Sequence, residues 1–233
     1  SANRSVEVSI ERNHTHDNRL YTSALKKDFI FRVNNKFEVE WIGDNPNNFG
    51  AIFEIALKIL KVKPTNENFS ILSDGFFQKD TKIGIGSSSA IAVAITRSIN
   101  KYYSLNLDAK EELYNSIELH RAFQKYKGSG LDVVTSYIGA PIIECFRGKD
   151  ATYEWKQLSI PEGIHIGFIK GKDSANTREM LTRFETRKLD KVEFFKEISR
   201  EMKESLKELS DAFDQSCRLD ILKSLKRYSA LMI

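Results

Sequence analysis

The alternation of apolar and polar residues near the start of the chain predicts β-strands. Alternating stretches occupy residues 5–10, 29–33 and 37–41, and residues 34–36 between the last two have the composition of a hairpin turn. A short apolar stretch at residues 69–72 predicts a further strand. The first part of the chain should therefore contain a sheet.

Helical spacing of apolar residues appears between and after these strands. Residues 49–60 are predicted to form a helix that Asn47 or Asn48 caps. A second helix is predicted over residues 108–123 with Asp108 as its N-cap, and residues 190–233 are helical almost throughout. Strands and helices are therefore mixed in the first half, whereas helices dominate the end.

The second half begins with a predicted hairpin, and a linker that contains proline and glycine follows it. Residues 141–146 and 151–158 have the pattern of paired strands. The segment 159–163 contains Pro161 and Gly163, and the composition changes there, so that it is the best boundary between domains. A strand at residues 165–169 should follow. The predicted domains are residues 1–158 and 159–233.

The composition is that of a folded protein without a nucleic-acid or membrane signature. Hydrophobic residues make up 41% of the 233 residues, and the net charge is only +4. The basic residues form no long run, and no stretch approaches the ~18 apolar residues of a membrane span. No signal peptide is recognisable at the N-terminus, and two cysteines, Cys145 and Cys217, are too few for a disulfide framework. We expect a cytoplasmic protein with neither nucleic acid nor membrane as partner, and a homodimer stays open.

The clearest chemical signal lies at residues 82–96, where glycines lead into a helix. Gly84 and Gly86 lack a Cβ, so the backbone can turn tightly and another group can approach closely. Ser87, Ser88 and Ser89 follow, and we expect a serine to cap the helix. Free backbone N–H groups and the helix dipole would attract a phosphate. The hydroxyls could add donors to phosphate oxygens or a ligand for Mg²⁺.

The letters of this segment exclude two common phosphate loops. A P-loop would need a lysine after Gly86, and a dinucleotide-binding fingerprint would need a third glycine at the position of Ser89. The residues alone therefore leave two interpretations open. One is a phosphate-binding loop, and the other is an ordinary capped helix after a flexible turn.

A second candidate site is the helix start near Asp132. Gly128, Ser129 and Gly130 break the preceding helix, and a new helix should begin at Leu131 or Asp132. The dipole would favour an ionised carboxylate in that first turn, where it could receive a proton or orient an acceptor. The residues alone also allow a plain helix-terminal aspartate that only satisfies backbone N–H groups.

Three blocks of sequence together resemble the GHMP kinases, the family of galactokinase, homoserine kinase, mevalonate kinase and phosphomevalonate kinase. Lys-Ile-Gly-Ile-Gly-Ser-Ser-Ser-Ala at residues 82–90 resembles the Gly-Leu-Gly-Ser-Ser-Ala loop that wraps the ATP phosphates. Lys-Gly-Ser-Gly-Leu-Asp-Val-Val at residues 127–134 resembles the segment with the catalytic aspartate. Residues 174–180 resemble the acceptor-facing segment of phosphomevalonate kinases, and Lys82 and Val133 also favour that branch over mevalonate kinases.

The resemblance implies an α+β fold of two domains. The N-terminal domain would mix sheet and helices and bind ATP, and an incomplete ferredoxin-like domain would follow. The implied reaction is the ATP- and Mg²⁺-dependent phosphorylation of 5-phosphomevalonate to its diphosphate, in the mevalonate route to isoprenoids. The substrate would be a phosphorylated small molecule.

The resemblance also assigns roles to individual residues. Asp132 would be catalytic, and Ser88 would ligate Mg²⁺. The residues expected to bind ATP are Lys82, Gly84, Gly86, Ser87, Ser88 and Ser89. Those expected to bind the acceptor are Gly128, Ser129, Gly130, Ser174, Thr177 and Arg178.

The sequence also departs from the family pattern. The family pattern places a Pro-Gly-x-x-x-Leu-x-Gly-Glu motif before the position of Ser5, with a lysine that neighbours the catalytic aspartate, and a glycine-rich loop after the position of Ile233. The given sequence contains neither motif. The sequence is therefore interpreted as either a fragment or a shortened relative. The carboxylate ligand of Mg²⁺ stays open, because Glu118 and His120 both lie near the family position.

Three alternative functions remain. The first is a mevalonate kinase or another kinase of mevalonate phosphates, which would share all three blocks. The second is a GHMP-fold ligand sensor without catalysis. The third, a plain helical scaffold, would leave the glycine loop at residues 82–90 without a role.

Overall fold

The computed structural model describes residues 4–78, 81–126, 128–140, 142–148, 152–167 and 177–232. The chain forms two compact units, Ser1–Gly139 and Ala140–Ile233. The strands and helices of the first unit are β1 Glu7–Arg12, β2 Asn18–Thr22, β3 Lys27–Val33, β4 Val39–Ile42, α1 Ala51–Leu60, β5 Glu67–Leu72, β6 Phe77–Gln78, β7 Thr81–Lys82, α2 Ser87–Tyr102, α3 Ala109–Phe123 and α4 Leu131–Ile138. Those of the second are β8 Ile142–Arg147, β9 Tyr153–Leu158, α5 Thr177–Asp190, α6 Val192–Asp214 and α7 Arg218–Leu231.

The first unit is built on a sheet with the strand order β1-β5-β2-β3-β4. Strands β2 and β5 run parallel, and the other neighbours pair antiparallel. The small strands β6 and β7 pair separately, just before α2. The mixed sheet and helices confirm the predicted α+β fold, whereas the second unit, with two strands and three helices among its described residues, is partial. Its ferredoxin-like arrangement stays a prediction.

One face of the sheet packs on helices through aromatic side chains. The ring of Phe53 on α1 lies edge-on to Phe31, with centroids 5.1 Å apart, and to Phe69, at 4.9 Å. Ile95 and Ile99 of α2 belong to the same buried cluster. Buried aromatic residues contribute large apolar areas, and edge-on pairs add about 0.5–1.5 kcal/mol each. This core fixes α2, and with it the glycine loop at its start, against the sheet.

Two local predictions in this unit are wrong. Strand β2 was not predicted, because it is short and its buried positions include the polar residues Asn18 and Thr22. Neither Asn47 nor Asn48 caps α1, because residues 47–49 form a 3₁₀ turn and Gly50 becomes the N-cap. The two-residue strands β6 and β7 were not predicted either, whereas the other strand and helix positions agree with the sequence pattern to within a few residues.

Asp108 caps α3 as predicted. Its Oδ1 accepts the backbone N–H groups of Lys110 and Glu111, both at 2.8 Å. In return, Glu111 Oε2 accepts the N–H of Asp108 at 2.9 Å, which completes a capping box.

We expect Asp108→Ala to lower the free energy of unfolding by about 1 kcal/mol, because two N–H groups at the start of α3 lose their acceptor. Urea titration followed by circular dichroism measures this loss. Asp74→Ala, which removes an exposed carboxylate elsewhere in the same unit, should change the value by less than about 0.5 kcal/mol. Equal stabilities of the two variants would contradict the capping role.

The second unit begins earlier than the predicted domain boundary at Ser159. The hairpin of β8 and β9 contacts α6, since Ser210 donates to Glu144 Oε2 at 2.8 Å and Lys156 pairs with Asp214. These contacts place the hairpin with the helices that follow, so that the compact units meet between Gly139 and Ala140. The division into domains at residue 159 stays a prediction.

Three further predictions concern a strand after residue 164, the two cysteines and membrane-spanning helices. Residues 164–167 form no strand, and the rest of the strand predicted at 165–169 lies outside the described residues. Both cysteines are free thiols. None of the helices that the structure describes has the length and apolar character needed to cross a lipid bilayer.

Candidate functional site

The glycine loop turns into α2 through left-handed backbone. Gly84 and Gly86 have φ angles of 84° and 85°, and Gly86 is the N-cap of the helix. The predicted serine cap is wrong, because no side chain caps α2 and all three serines lie within its first turn. Ser89 instead donates its hydroxyl back to the carbonyl oxygen of Gly86 at 2.7 Å. This bond holds the turn closed.

The start of α2 has the properties of an anion-binding site. The first intrahelical bond runs from the N–H of Ala90 to the oxygen of Gly86 at 3.2 Å. The N–H groups of Ser87, Ser88 and Ser89 precede this bond and therefore have no acceptor within the helix. They lie at the positive end of the helix dipole, where an anion is stabilised. A Cβ on Gly86 would lie 3.2 Å from Ser89 Oγ. The residues present therefore fit a phosphate group.

Asp132 lies in the first turn of α4, as predicted. Gly130, with a φ angle of 84°, is the N-cap of this helix, and the fully buried Val133 and Val134 anchor it. Asp132 Oδ1 accepts the N–H of Val133 at 3.1 Å, while 46% of the side chain stays exposed. The carboxylate is therefore oriented by the helix start and still open to an acceptor.

His120 of α3 links the two helix starts. Its Nε2 lies 3.0 Å from Ser88 Oγ and 3.6 Å from Asp132 Oδ2. The imidazole is completely buried. Gln124, the C-cap residue that follows α3, places its amide nitrogen 3.2 Å from the same Nε2. The sequence suggested His120 only through its position near the Mg²⁺ ligand of the family, and gave no sign that it would contact both motifs.

A second contact between the helix starts involves Ser136. Its Oγ lies 3.2 Å from Ser89 Oγ and 2.9 Å from the carbonyl oxygen of Asp132, and its single hydrogen can be donated to either. The next residue, Tyr137, donates to the carbonyl oxygen of Ala109 at 3.0 Å, and Arg97 lies 4.1 Å from the centre of its ring. Burial raises the pKa of Tyr137 further above neutral pH, and the neutral phenol donates this hydrogen bond. These bonds fix α4 relative to α2 and α3, and the sequence alone gave no signal for them.

The structure shows what Glu118 and His120, the two residues near the Mg²⁺-ligand position of the family, contact. Glu118 forms an ion pair with Arg121, with 3.0 Å between Oε1 and Nη1, whereas His120 lies between Ser88 and Asp132. Among the described residues, no cluster of three or more His, Cys, Asp or Glu side chains could hold a metal. Ser88 and Asp132 nevertheless offer oxygen donors. That donor set fits Mg²⁺, which prefers oxygen ligands and usually keeps waters and substrate phosphates in its shell.

A cavity of about 390 Å³ lies beside the glycine loop. Ser87 and Ile91 of α2 form one side of it, and Phe49, Ile52 and Phe77 add apolar surface. Asn48, Thr22 and Ser73 also line it and supply polar groups. A mostly apolar cavity with a few polar groups is typical of a site for a small organic ligand.

The residues predicted to bind the acceptor lie partly outside the described part of the chain. Ser174 is not among the described residues, nor are the side chains of Lys82, Thr177 and Arg178. Ser129 Oγ accepts the N–H of Leu131 at 3.4 Å and so supports the start of α4. A Cβ on Gly128 would lie 2.3 Å from Gln124 Oε1. The absence of a side chain there leaves room for Gln124 beside His120.

Comparison with known proteins links this site to a family. Residues 52–140 match the family model described as GHMP kinases N terminal domain, and this range contains the glycine loop, His120 and Asp132. This part of the chain is therefore similar to the N-terminal domain of the GHMP kinases. No curated protein matches the chain by sequence. The predicted resemblance to the GHMP kinases is thereby confirmed for residues 52–140 and for the fold.

Solved structures of other proteins share the fold over most of this chain. The Lin0012 protein from Listeria innocua has a TM-score of 0.76 at 15% identity, and the match covers 99% of this chain and 69% of that one. Streptococcus pneumoniae phosphomevalonate kinase, in complex with phosphomevalonate and AMPPNP, has a TM-score of 0.71 at 13% identity, covering 96% and 69%. Mevalonate kinase from L. major, in complex with R-mevalonate, has a TM-score of 0.59 at 16% identity, covering 99% and 64%.

Proposed function

We propose that this protein transfers the γ-phosphoryl group of ATP to 5-phosphomevalonate and so forms 5-diphosphomevalonate. The observation that carries the proposal is the meeting of the two helix starts, with Ser88 and Asp132 both next to His120. A phosphate site and an exposed carboxylate then lie close enough to serve one reaction. The choice of acceptor is supported by the sequence similarity to phosphomevalonate kinases around Lys82 and Val133.

ATP would bind with its phosphates at the start of α2 and its base in the adjacent cavity. The N–H groups of Ser87, Ser88 and Ser89 would donate to phosphate oxygens. The apolar surface of Phe49, Ile91 and Phe77 would pack on the adenine, because a purine ring has a large apolar face. Ser87 borders both places, so a single nucleotide could occupy them together.

The reaction asks the protein mainly for positioning and charge stabilisation. An oxygen of the acceptor's 5-phosphate forms the new bond to the γ-phosphorus, and the bond between the γ-phosphorus and the β-bridging oxygen breaks, so that ADP leaves. A phosphate monoester is mostly dianionic at neutral pH, since its second pKa is about 6. Asp132 would therefore hold the acceptor in line more than it removes a proton. Mg²⁺, with Ser88 among its ligands, would neutralise charge on the phosphates.

Turnover with a set of acceptors tests the proposal. The full-length protein is incubated with ATP, Mg²⁺ and either mevalonate, 5-phosphomevalonate or 5-diphosphomevalonate, and ADP release and product mass are measured. We expect turnover with 5-phosphomevalonate. Turnover with mevalonate alone would identify a different kinase of the family. ATP binding without turnover of any acceptor would favour a sensor.

The acceptor assignment also predicts a role for Arg178 in α5. An arginine could pair with the phosphate of the acceptor, and loss of a partly exposed ion pair costs up to about 1 kcal/mol, or about fivefold in binding. We expect Arg178→Met to raise KM for 5-phosphomevalonate by about that factor and to leave KM for ATP unchanged. Steady-state kinetics at varied concentrations of each substrate separate the two values.

The matched control is Arg187→Met, in the last turn of the same helix. It removes the same side chain from an exposed position and should leave both KM values unchanged. An equal rise of both KM values in Arg178→Met would mean that Arg178 serves only the packing of the protein.

A further inference from the structure

His120 makes a set of contacts that the proposed reaction does not by itself explain. A completely buried imidazole approaches Ser88, Gln124 and Asp132 through one and the same nitrogen, Nε2. Two of these distances, 3.0 Å to Ser88 Oγ and 3.2 Å to the amide nitrogen of Gln124, are within hydrogen-bond range. The third, 3.6 Å to Asp132 Oδ2, is beyond it.

These partners decide which tautomer the imidazole adopts. In the orientation that the Gln124 amide has here, its nitrogen faces Nε2 and is only a donor, so that Nε2 acts as the acceptor in this assignment. An accepting Nε2 carries no hydrogen, and the ring is then neutral with its hydrogen on Nδ1. Ser88 must therefore be the donor in its bond to Nε2. We assign the tautomer from this hydrogen-bond pattern.

The direction of this bond determines what Ser88 can bind. A serine hydroxyl has one hydrogen, and in the assigned tautomer Ser88 directs it toward His120. The lone pairs of Oγ remain available, whereas no hydrogen is left for a phosphate oxygen. Ser88 Oγ is thus prepared to bind a cation and not to donate to a phosphate. The sequence had allowed both roles.

We propose that His120 is a positioning residue, which holds Ser88 as a ligand for the Mg²⁺ that accompanies ATP by accepting the hydroxyl hydrogen of Ser88. Gln124 supports the arrangement, because its N–H donation keeps Nε2 an acceptor, and Gly128 leaves space for its amide. The proposal rests on the nucleotide-binding part of the proposed function.

Nucleotide affinity with and without Mg²⁺ tests the proposal without requiring turnover. Isothermal titration calorimetry with ATP is run once with Mg²⁺ and once with EDTA, on the wild type and on two amide variants. In His120→Gln, the terminal amide can reach the position of Nε2 and accept from Ser88, whereas the side chain in His120→Asn is one methylene too short. Thermal unfolding of each variant confirms that it is folded.

We expect His120→Asn to reduce the gain in ATP affinity that Mg²⁺ provides by about fivefold, the loss expected for one hydrogen bond. Its affinity in EDTA should stay within about twofold of the wild type, and His120→Gln should retain most of the gain. An equal loss in Mg²⁺ and EDTA would overturn the proposal, because His120 would then only support the loop. A wild type without any gain from Mg²⁺ would overturn it as well.

A double-mutant cycle with Ser88→Ala locates the effect. If His120 acts through the Ser88 hydroxyl, His120→Asn should cause no further loss of the Mg²⁺ gain once Ser88 is alanine. Additive losses would contradict the proposal. The two proposals can fail separately. A protein that binds Mg²⁺ and ATP but phosphorylates none of the acceptors would disprove the proposed reaction, while the effect of His120 on the Mg²⁺ gain could still be measured. If turnover is present while the Mg²⁺ gain is unaffected by His120, the proposal on His120 alone is wrong.

Discussion

Replacing Asp132 by asparagine is expected to lower kcat with 5-phosphomevalonate by about 10²-fold, because loss of the group that positions the acceptor for in-line transfer costs about that factor. The asparagine keeps the volume of the side chain and an oxygen that can accept the N–H of Val133. The start of α4 should therefore survive, with a change in the free energy of unfolding below about 1 kcal/mol. ATP affinity should also persist, because the phosphate site belongs to α2.

The measurement is kcat on the full-length protein, with ATP affinity from calorimetry as the companion value. The matched control is Asp220→Asn, which makes the same change in the first turn of α7. It should leave kcat unchanged. If Asp132→Asn keeps kcat within about threefold of the wild type, Asp132 only caps α4, and other groups would have to supply the catalysis.

The sequence predicted those parts of the site that depend on local backbone signals. Gly86 and Gly130 precede two helices, and both positions require the left-handed conformation that glycine adopts readily. The placement of Asp132 in a first turn follows from the helix start at Leu131. Asp108 with Glu111 three residues later is a capping box that can be recognised from spacing alone.

The contacts between helix starts could not be predicted in the same way. Ser88 and His120 lie in α2 and α3, and their meeting at 3.0 Å depends on how the two helices pack. A buried histidine in an amphipathic helix has no distinctive spacing, because it occupies a position that an apolar residue would also fill. The same reason explains why strand β2, with buried Asn18 and Thr22, was not predicted from its pattern.

The serine cap of α2 was predicted wrongly because both serine and glycine are common at the start of a helix. Serine at a helix start favours capping, but Gly86 turns the chain one residue earlier and takes the N-cap position itself. The hydroxyls of Ser88 and Ser89 then become available for His120 and for the carbonyl of Gly86. The segment therefore closes its own turn and leaves its N–H groups without an intrahelical acceptor, which is the arrangement a phosphate needs.

Replacing Gly86 by valine is expected to weaken ATP binding by about ten- to a hundredfold, because one charge-assisted hydrogen bond to phosphate, worth about 1.5–3 kcal/mol, would be lost. The φ angle of 85° is strained for any residue with a Cβ, and that Cβ would lie 3.2 Å from Ser89 Oγ. The turn would have to shift, and the N–H groups of Ser87 and Ser88 would move with it. Calorimetry with ATP and Mg²⁺ measures the loss.

Backbone strain alone could also weaken binding by destabilising the protein, so the control must carry the same strain elsewhere. Gly43 has a φ angle of 80° and lies exposed after β4, and a Cβ added there would meet no atom of the described residues within 4 Å. Gly43→Val should therefore lower the melting temperature through strain and leave ATP affinity unchanged. If Gly86→Val is folded and binds ATP as tightly as Gly43→Val does, the start of α2 is not the phosphate site. The ten- to hundredfold loss confined to Gly86→Val would instead locate the phosphates at the N–H groups that this glycine exposes.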